Sequence, residues 1–197
     1  HTDYHVATGA IELMQEYHPA KTGKPFFLGV GFYRPHTPFV APQKYFDLYP
    51  LDDIEPYIMP ANDRNDIPEI GLTDRRGQLG LTVAQRKVVI QAYYAAVSFM
   101  DAQVGRVLDA LDDLGLADNT IVVFVSDHGY ELGQHGLWQK GSLFEGSARI
   151  PMIIRAPGMK AAGKAAGSPV EMVDIYRTLT DLAGIEAPDY VEGESLV

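Results

Sequence analysis

The chain has 197 residues, 46% of them hydrophobic, so it can bury a core of its own and falls within the size range of one domain. A formal net charge of -10 and a pI near 4.9 argue against nucleic acid or an anionic membrane as a partner, and no long apolar run offers a membrane span. With no cysteine there is no disulfide or thiol chemistry, and the redox compartment stays undecided.

Residues 3 to 17 place Val6, Ile11, Leu13, Met14 and Tyr17 on one side, which predicts an amphipathic helix with Asp3 near its cap. His1, His5 and His18 read as solvated surface. The run KTGKP ends the helix, and FFLGVGF over 26–32 predicts a strand buried on both faces. In the following loop, YRPHTPF, Pro35 and Pro38 bracket His36 and restrict the backbone around it, so the imidazole is presented with little freedom. On spacing alone this is either a rigid turn or a site.

From Val40 to Thr82 the chain is rich in Pro, Asp and Gly without a clear period, which predicts a long surface excursion within one domain. Asp52 and Asp53 within it, and Asp112 and Asp113 further on, read as solvated pairs. Ile90, Tyr93, Val97, Met100, Val104, Val107, Leu111 and Leu114 recur in steps of three and four, predicting a helix over 83–114 that Gly115 ends.

The stretch TIVVFVSDHGYELGQHGLWQK over 120–140 carries the most chemistry. Ile121 to Val125 predicts a buried strand, and Asp127 and His128 stand where the chain leaves it, at the end where open α/β sheets place their ligands. Taken alone the pair is either turn chemistry or a metal-site geometry. Two histidines, Asp127, Lys140 and three glycines crowd the same loop, and a long polar loop on a rigid scaffold is usually a site. Beyond it come a short helix or turn, a strand at 152–155, a flexible stretch MKAAGKAAGSP, and a helix over 170–183 with Asp174 and Arg177 on its polar side. The order of elements predicts an α/β fold, a mixed and largely parallel sheet sandwiched by helices, with no internal repeat.

The segment SDHGYELGQHGLWQK resembles the second signature region of the type I sulfatases, members of the alkaline-phosphatase-like superfamily. FFLGVGFYRPHTPFVAPQKYFDLYP, with Lys44, is similar to the strand and loop that carry a substrate-facing histidine in the iduronate 2-sulfatase branch and its bacterial relatives. The segments 92–120 and 173–185 also resemble their counterparts, so most of the chain is covered. The resemblance implies hydrolysis of a sulfate ester on a sulfated carbohydrate, such as a 2-O-sulfated uronic acid, by an exported enzyme in periplasm, medium or lysosome.

It further implies that Asp127 and His128 help hold a divalent metal, usually Ca2+, that Lys140 faces the sulfate oxygens, and that His36 binds sulfate or protonates the leaving group. His135 reads as a loop-ordering residue. The formylglycine that such enzymes make within a Cys/Ser-x-Pro-x-Arg motif, and their Asp-Asp metal pair, are not in this sequence. Residues 1–197 are therefore expected to be the C-terminal portion of one sulfatase catalytic domain, inactive without the N-terminal part as partner. A phosphate or phosphonate ester hydrolase of the same superfamily, or a non-catalytic module, are the alternatives.

Overall fold

A computed structural model describes residues 1–72, 74 and 78–197. The chain forms two compact units, residues 1–114 with 127–150, and residues 115–126 with 151–197.

In the first unit, α1 (Thr2–Glu16) packs on the long α4 (Val83–Asp113), with α2 (Pro19–Thr22) and α3 (Gln43–Phe46) between them in sequence. The predicted helix is present, but its buried face is Asp3, Ala7, Ala10 and Met14, while Leu13 and Tyr17 stay largely exposed. Small residues on the contact line let the two helices approach closely, which outweighs the apolar volume of the residues around them. Arg106 of α4 ties the pair together, donating to the Tyr4 carbonyl at 3.1 Å and to Thr8 Oγ1 at 3.0 Å. His18 is more than solvated surface. Its Nδ1 caps α2 by accepting from the Ala20 N–H, and its Nε2 bonds the Leu114 carbonyl at 3.1 Å.

α4 (Val83–Asp113) opens on a reciprocal cap: Gln85 N–H donates to Thr82 Oγ1, and Thr82 N–H donates to Gln85 Oε1. Ile90 and Leu111 of the predicted stripe are buried, together with Ala95, Ala96, Phe99 and Gln103. Ile90 forms a cluster with Ile54 of the 40–82 excursion and with Trp138, against which Tyr49, Leu81, Val89 and Leu132 pack. This cluster fastens both the excursion and the 129–140 loop to the helix.

In the second unit, β1 (Val122–Val125) pairs antiparallel with β2 (Met152–Arg155), Val122 opposite Arg155 and Val125 opposite Met152. Between them in sequence lies the short α5 (Glu145–Ala148) of the first unit, and after them comes α6 (Asp174–Ala183). Asp174 is buried instead of lying on the polar face. Its carboxylate accepts from the Glu171 and Glu194 N–H groups at 2.8 and 2.9 Å, which ties the C-terminal segment to α6 and lowers its pKa.

Mixed α/β character is present as predicted; the one sheet among the described residues is the antiparallel β1–β2 pair, and the parallel strands expected of the fold are not among them. Residues 26–32 alternate in exposure, Phe27 being 89% exposed, but form no ladder. A strand needs a neighbour for its N–H and C=O groups, and no described segment supplies one there. For the same reason β1, paired along one edge, is half-buried instead of buried on both faces. Among the described residues no helix is long and apolar enough to cross a membrane.

Candidate active site

The 129–140 segment folds back on itself as a hairpin. Glu131 N–H donates to the Gln139 carbonyl at 3.0 Å and Gly133 N–H to the Leu137 carbonyl at 2.8 Å, with His135 at the tip. This pairing means that Lys140 leaves the hairpin at the same end at which His128 enters it. Trp138, 5% exposed in the apolar cluster, anchors the second arm, and the Tyr130 hydroxyl donates to the Trp138 carbonyl at 2.9 Å.

At the open end His128 Nε2 stands 3.7 Å from Asp127 Oδ2. His128 Nδ1 lies 2.7 Å from the Gly129 carbonyl. A carbonyl can only accept, so Nδ1 carries the proton and Nε2, the nitrogen on the carboxylate side, is the basic one. Metal-binding histidines are oriented in this way, by an N–H donated to a carbonyl from the far side of the ring. The donor set thus fits part of a divalent cation's shell, one carboxylate and one imidazole. Glycine is required next in sequence: a Cβ on Gly129 would collide with the Gly146 carbonyl, where Gly129 N–H also donates to Ser147 O at 2.8 Å.

Lys140 is half-buried, flanked by the buried Gln139 and by Gly141, whose N–H donates to Ser147 Oγ at 3.1 Å. His36 sits on the other loop and is exposed. Its Nδ1 donates to the Thr37 carbonyl at 2.7 Å, and its ring packs on Tyr33 with centroids 4.8 Å apart. Both bracketing bonds, Arg34–Pro35 and Thr37–Pro38, are cis. Arg34 closes the loop by donating to the His36 and Val40 carbonyls at 3.1 and 2.9 Å.

Three groups of residues that hold this site together were not singled out from the sequence. Asp3, read as a helix cap, is 1% exposed and accepts from the Tyr33 and Arg34 N–H groups at 2.9 and 3.0 Å, bracing the His36 loop from thirty residues away. Phe39, Tyr93 and Tyr130 form an aromatic triad with centroid separations of 5.4, 5.8 and 5.5 Å. It joins the His36 loop, α4 and the entrance of the hairpin. Tyr93 was legible only as one position of the apolar stripe; burial raises its pKa.

The third is Glu131, which is wholly buried behind the open end. Desolvation raises its pKa, and only the nearby His135 and hydrogen bonds from Ser142 and Ser147 oppose this. Its Oε2 has no hydrogen-bond partner among the described residues, and a Cβ on Gly146 would press into the carboxylate. His135, read from the sequence as a loop-ordering residue, has its Nδ1 3.0 Å from Asp63 Oδ2.

The Sulfatase family model matches residues 3–185. The chain is 44% identical over 180 residues to a sulfatase of Formosa agariphila, covering 88% of this chain and 35% of that protein. It is 36% identical over 219 residues to iduronate 2-sulfatase of Mus musculus, covering 91% of this chain and 39% of that one. Among solved structures, phosphonate monoester hydrolase SpPMH from Silicibacter pomeroyi superposes with a TM-score of 0.78 at 29% identity, over 94% of this chain and 39% of that chain. The chain thus spans well under half the length of these proteins, and it belongs to the sulfatase family with its alkaline-phosphatase-like α/β fold.

Proposed function

We propose that the protein containing these residues is a sulfuric ester hydrolase acting on a sulfated sugar, with a 2-O-sulfated uronic acid as the leading substrate. The observation that carries the reading is the Asp127–His128 pair, 3.7 Å apart, with the His128 tautomer fixed by the Gly129 carbonyl. In this reading Asp127 Oδ2 and His128 Nε2 help hold a divalent cation, Ca2+ by resemblance. When bound, that cation would neutralise charge on the sulfate oxygens, and a formylglycine hydrate outside these residues would supply the attacking oxygen.

Lys140 offers an ammonium to the sulfate oxygens as charge moves toward the leaving group. His36 protonates that group: with Nδ1–H committed to the Thr37 carbonyl, a proton on Nε2 passes to the sugar oxygen as its bond to sulfur breaks. An exported location is part of the same proposal. Similarity to the phosphonate monoester hydrolase supports a second reading, a phosphonate or phosphate ester hydrolase.

The test uses the full-length protein and follows inorganic sulfate and phosphate by ion chromatography, from matched sulfate and phosphate esters. Sulfate release that stops with a chelator and returns with Ca2+ supports the first reading. Release of phosphate alone would replace it with the second.

A further inference from the structure

The hairpin has its open end at His128 and Lys140 and its tip at His135, and the tip is held with unusual firmness. His135 lies at φ 52° and ψ 20°, a left-handed conformation that residues with a Cβ rarely adopt. Asp63 Oδ2 engages its ring Nδ1 at 3.0 Å, Arg64 donates Nε to its carbonyl at 2.8 Å with Nη2 reaching the same oxygen, and the Phe144 ring stacks on it at 4.1 Å. Backbone in such a conformation persists where surrounding groups hold it, and such positions cluster at active sites and ligand clamps.

Beside this tip lies a cleft of about 610 Å³ whose walls include Asn62, Asp63, Asn65, Asp66, His135 and Phe144. It adjoins a smaller recess of about 300 Å³ that shares Asp66 and Phe144. The lining joins amides and carboxylates, which bond hydroxyls, with an aromatic ring against which the C–H face of a sugar can pack. Arg64 is committed to Asp74 at 2.8 and 2.9 Å and to the His135 carbonyl, so its cation is not offered to the cleft. Asp63 and Asp66 would repel a second sulfate or a uronate. From Lys140 at the open end to the tip an extended arm spans at most about 17 Å, within the reach of a tetrasaccharide that starts at the open end.

We propose that this cleft is a subsite for an uncharged sugar unit of the glycan whose sulfate ester is cleaved at the open end of the hairpin. The proposal rests on the sulfatase reading above, and it assigns part of the substrate preference to residues 62–66 and 144.

The experiment compares kcat/KM of the full-length protein on three substrates: 4-nitrophenyl sulfate, and a disaccharide and a tetrasaccharide that carry the same single sulfate on the terminal uronic acid. Wild type should prefer the tetrasaccharide to the disaccharide. In Phe144→Ala the ratio of tetrasaccharide to 4-nitrophenyl sulfate turnover should fall at least about fivefold, the loss of one good contact. Because Phe144 also packs on His135, Asn65→Ala on the exposed rim gives a second reading of the same ratio. A tetrasaccharide with an added inner sulfate should be the poorer substrate, and Asp66→Asn should narrow that gap.

Absence of a length preference, its survival in both Ala variants, or a preference for the added sulfate would overturn the subsite while leaving the sulfatase reading intact. No sulfate release from any of the three substrates would overturn that reading itself, and the subsite with it.

Discussion

His36 and His128 are set in the same way, each donating Nδ1–H to a neighbouring backbone carbonyl at 2.7 Å, which fixes the ring with Nε2 on the side away from that carbonyl. Their surroundings differ: His128 faces a carboxylate, and His36 stands exposed on a braced loop. If His36 is the proton donor, His36→Ala in the full-length protein should lower turnover of a sugar sulfate by about 10²–10⁴. The loss should shrink on 4-nitrophenyl sulfate, whose leaving group needs no proton; equal losses on both substrates would assign His36 to binding. Glu131 makes a separate prediction about pH. Its folded pKa lies above the usual 4.5, so the folded state binds the extra proton. The stability it contributes is therefore complete below that value and is lost as pH rises through the folded pKa. Glu131→Gln, a permanent stand-in for the protonated form, should flatten the fall in melting temperature with rising pH, and a fall of unchanged slope would assign the pH dependence to other groups.

Among the elements, the hairpin depends on packing that the sequence announces only in part. Trp138 was legible as part of a signature segment, but its place in the cluster with Ile54 and Ile90 joins three distant parts of the chain, and no local period records such a contact. Truncation to alanine should cost about 3–5 kcal/mol of stability, read by chemical denaturation, because a buried indole leaves a cavity that the helix cannot close. A cost under about 1 kcal/mol would mean that the hairpin is fastened elsewhere, with the Arg64 clamp as the next candidate. The Asp127–His128 pair was readable because both residues are adjacent in sequence at a strand end. Asp3, the Phe39–Tyr93–Tyr130 triad and the Asp63–Arg64 clamp were not, since each acts across a long sequence separation. Helices were found because a period of 3.6 is local, yet α1 turned its small residues inward, a choice made by the approach of α4 and invisible in α1 alone.

At the scale of the whole molecule, the same asymmetry governs the sheet and the metal. The apolar run 26–32 has strand composition but no described partner, so the expected strand is not formed there, and the parallel ladder that would complete it is not among the described residues. The proposed cation site is similar, because Asp127 and His128 would contribute two donors and no group of three or more carboxylate, histidine or cysteine ligands occurs among the described residues. A hard divalent cation takes six to eight oxygen ligands, roughly, so two donors hold it weakly. With a dissociation constant of about 10 mM, 1 mM Ca2+ stabilises a protein by only about 0.06 kcal/mol, whereas a micromolar site would contribute about 4 kcal/mol at the same concentration. The 197-residue chain, verified as folded by circular dichroism, should therefore show no change in melting temperature with 1 mM Ca2+, and the full-length protein a rise of several degrees. His128→Ala in the full-length protein should remove most of that rise. A strong Ca2+ shift in the 197-residue chain alone would mean that these residues close the metal shell by themselves, and the remaining ligands would then have to be sought around Asp127 instead of in the rest of the protein.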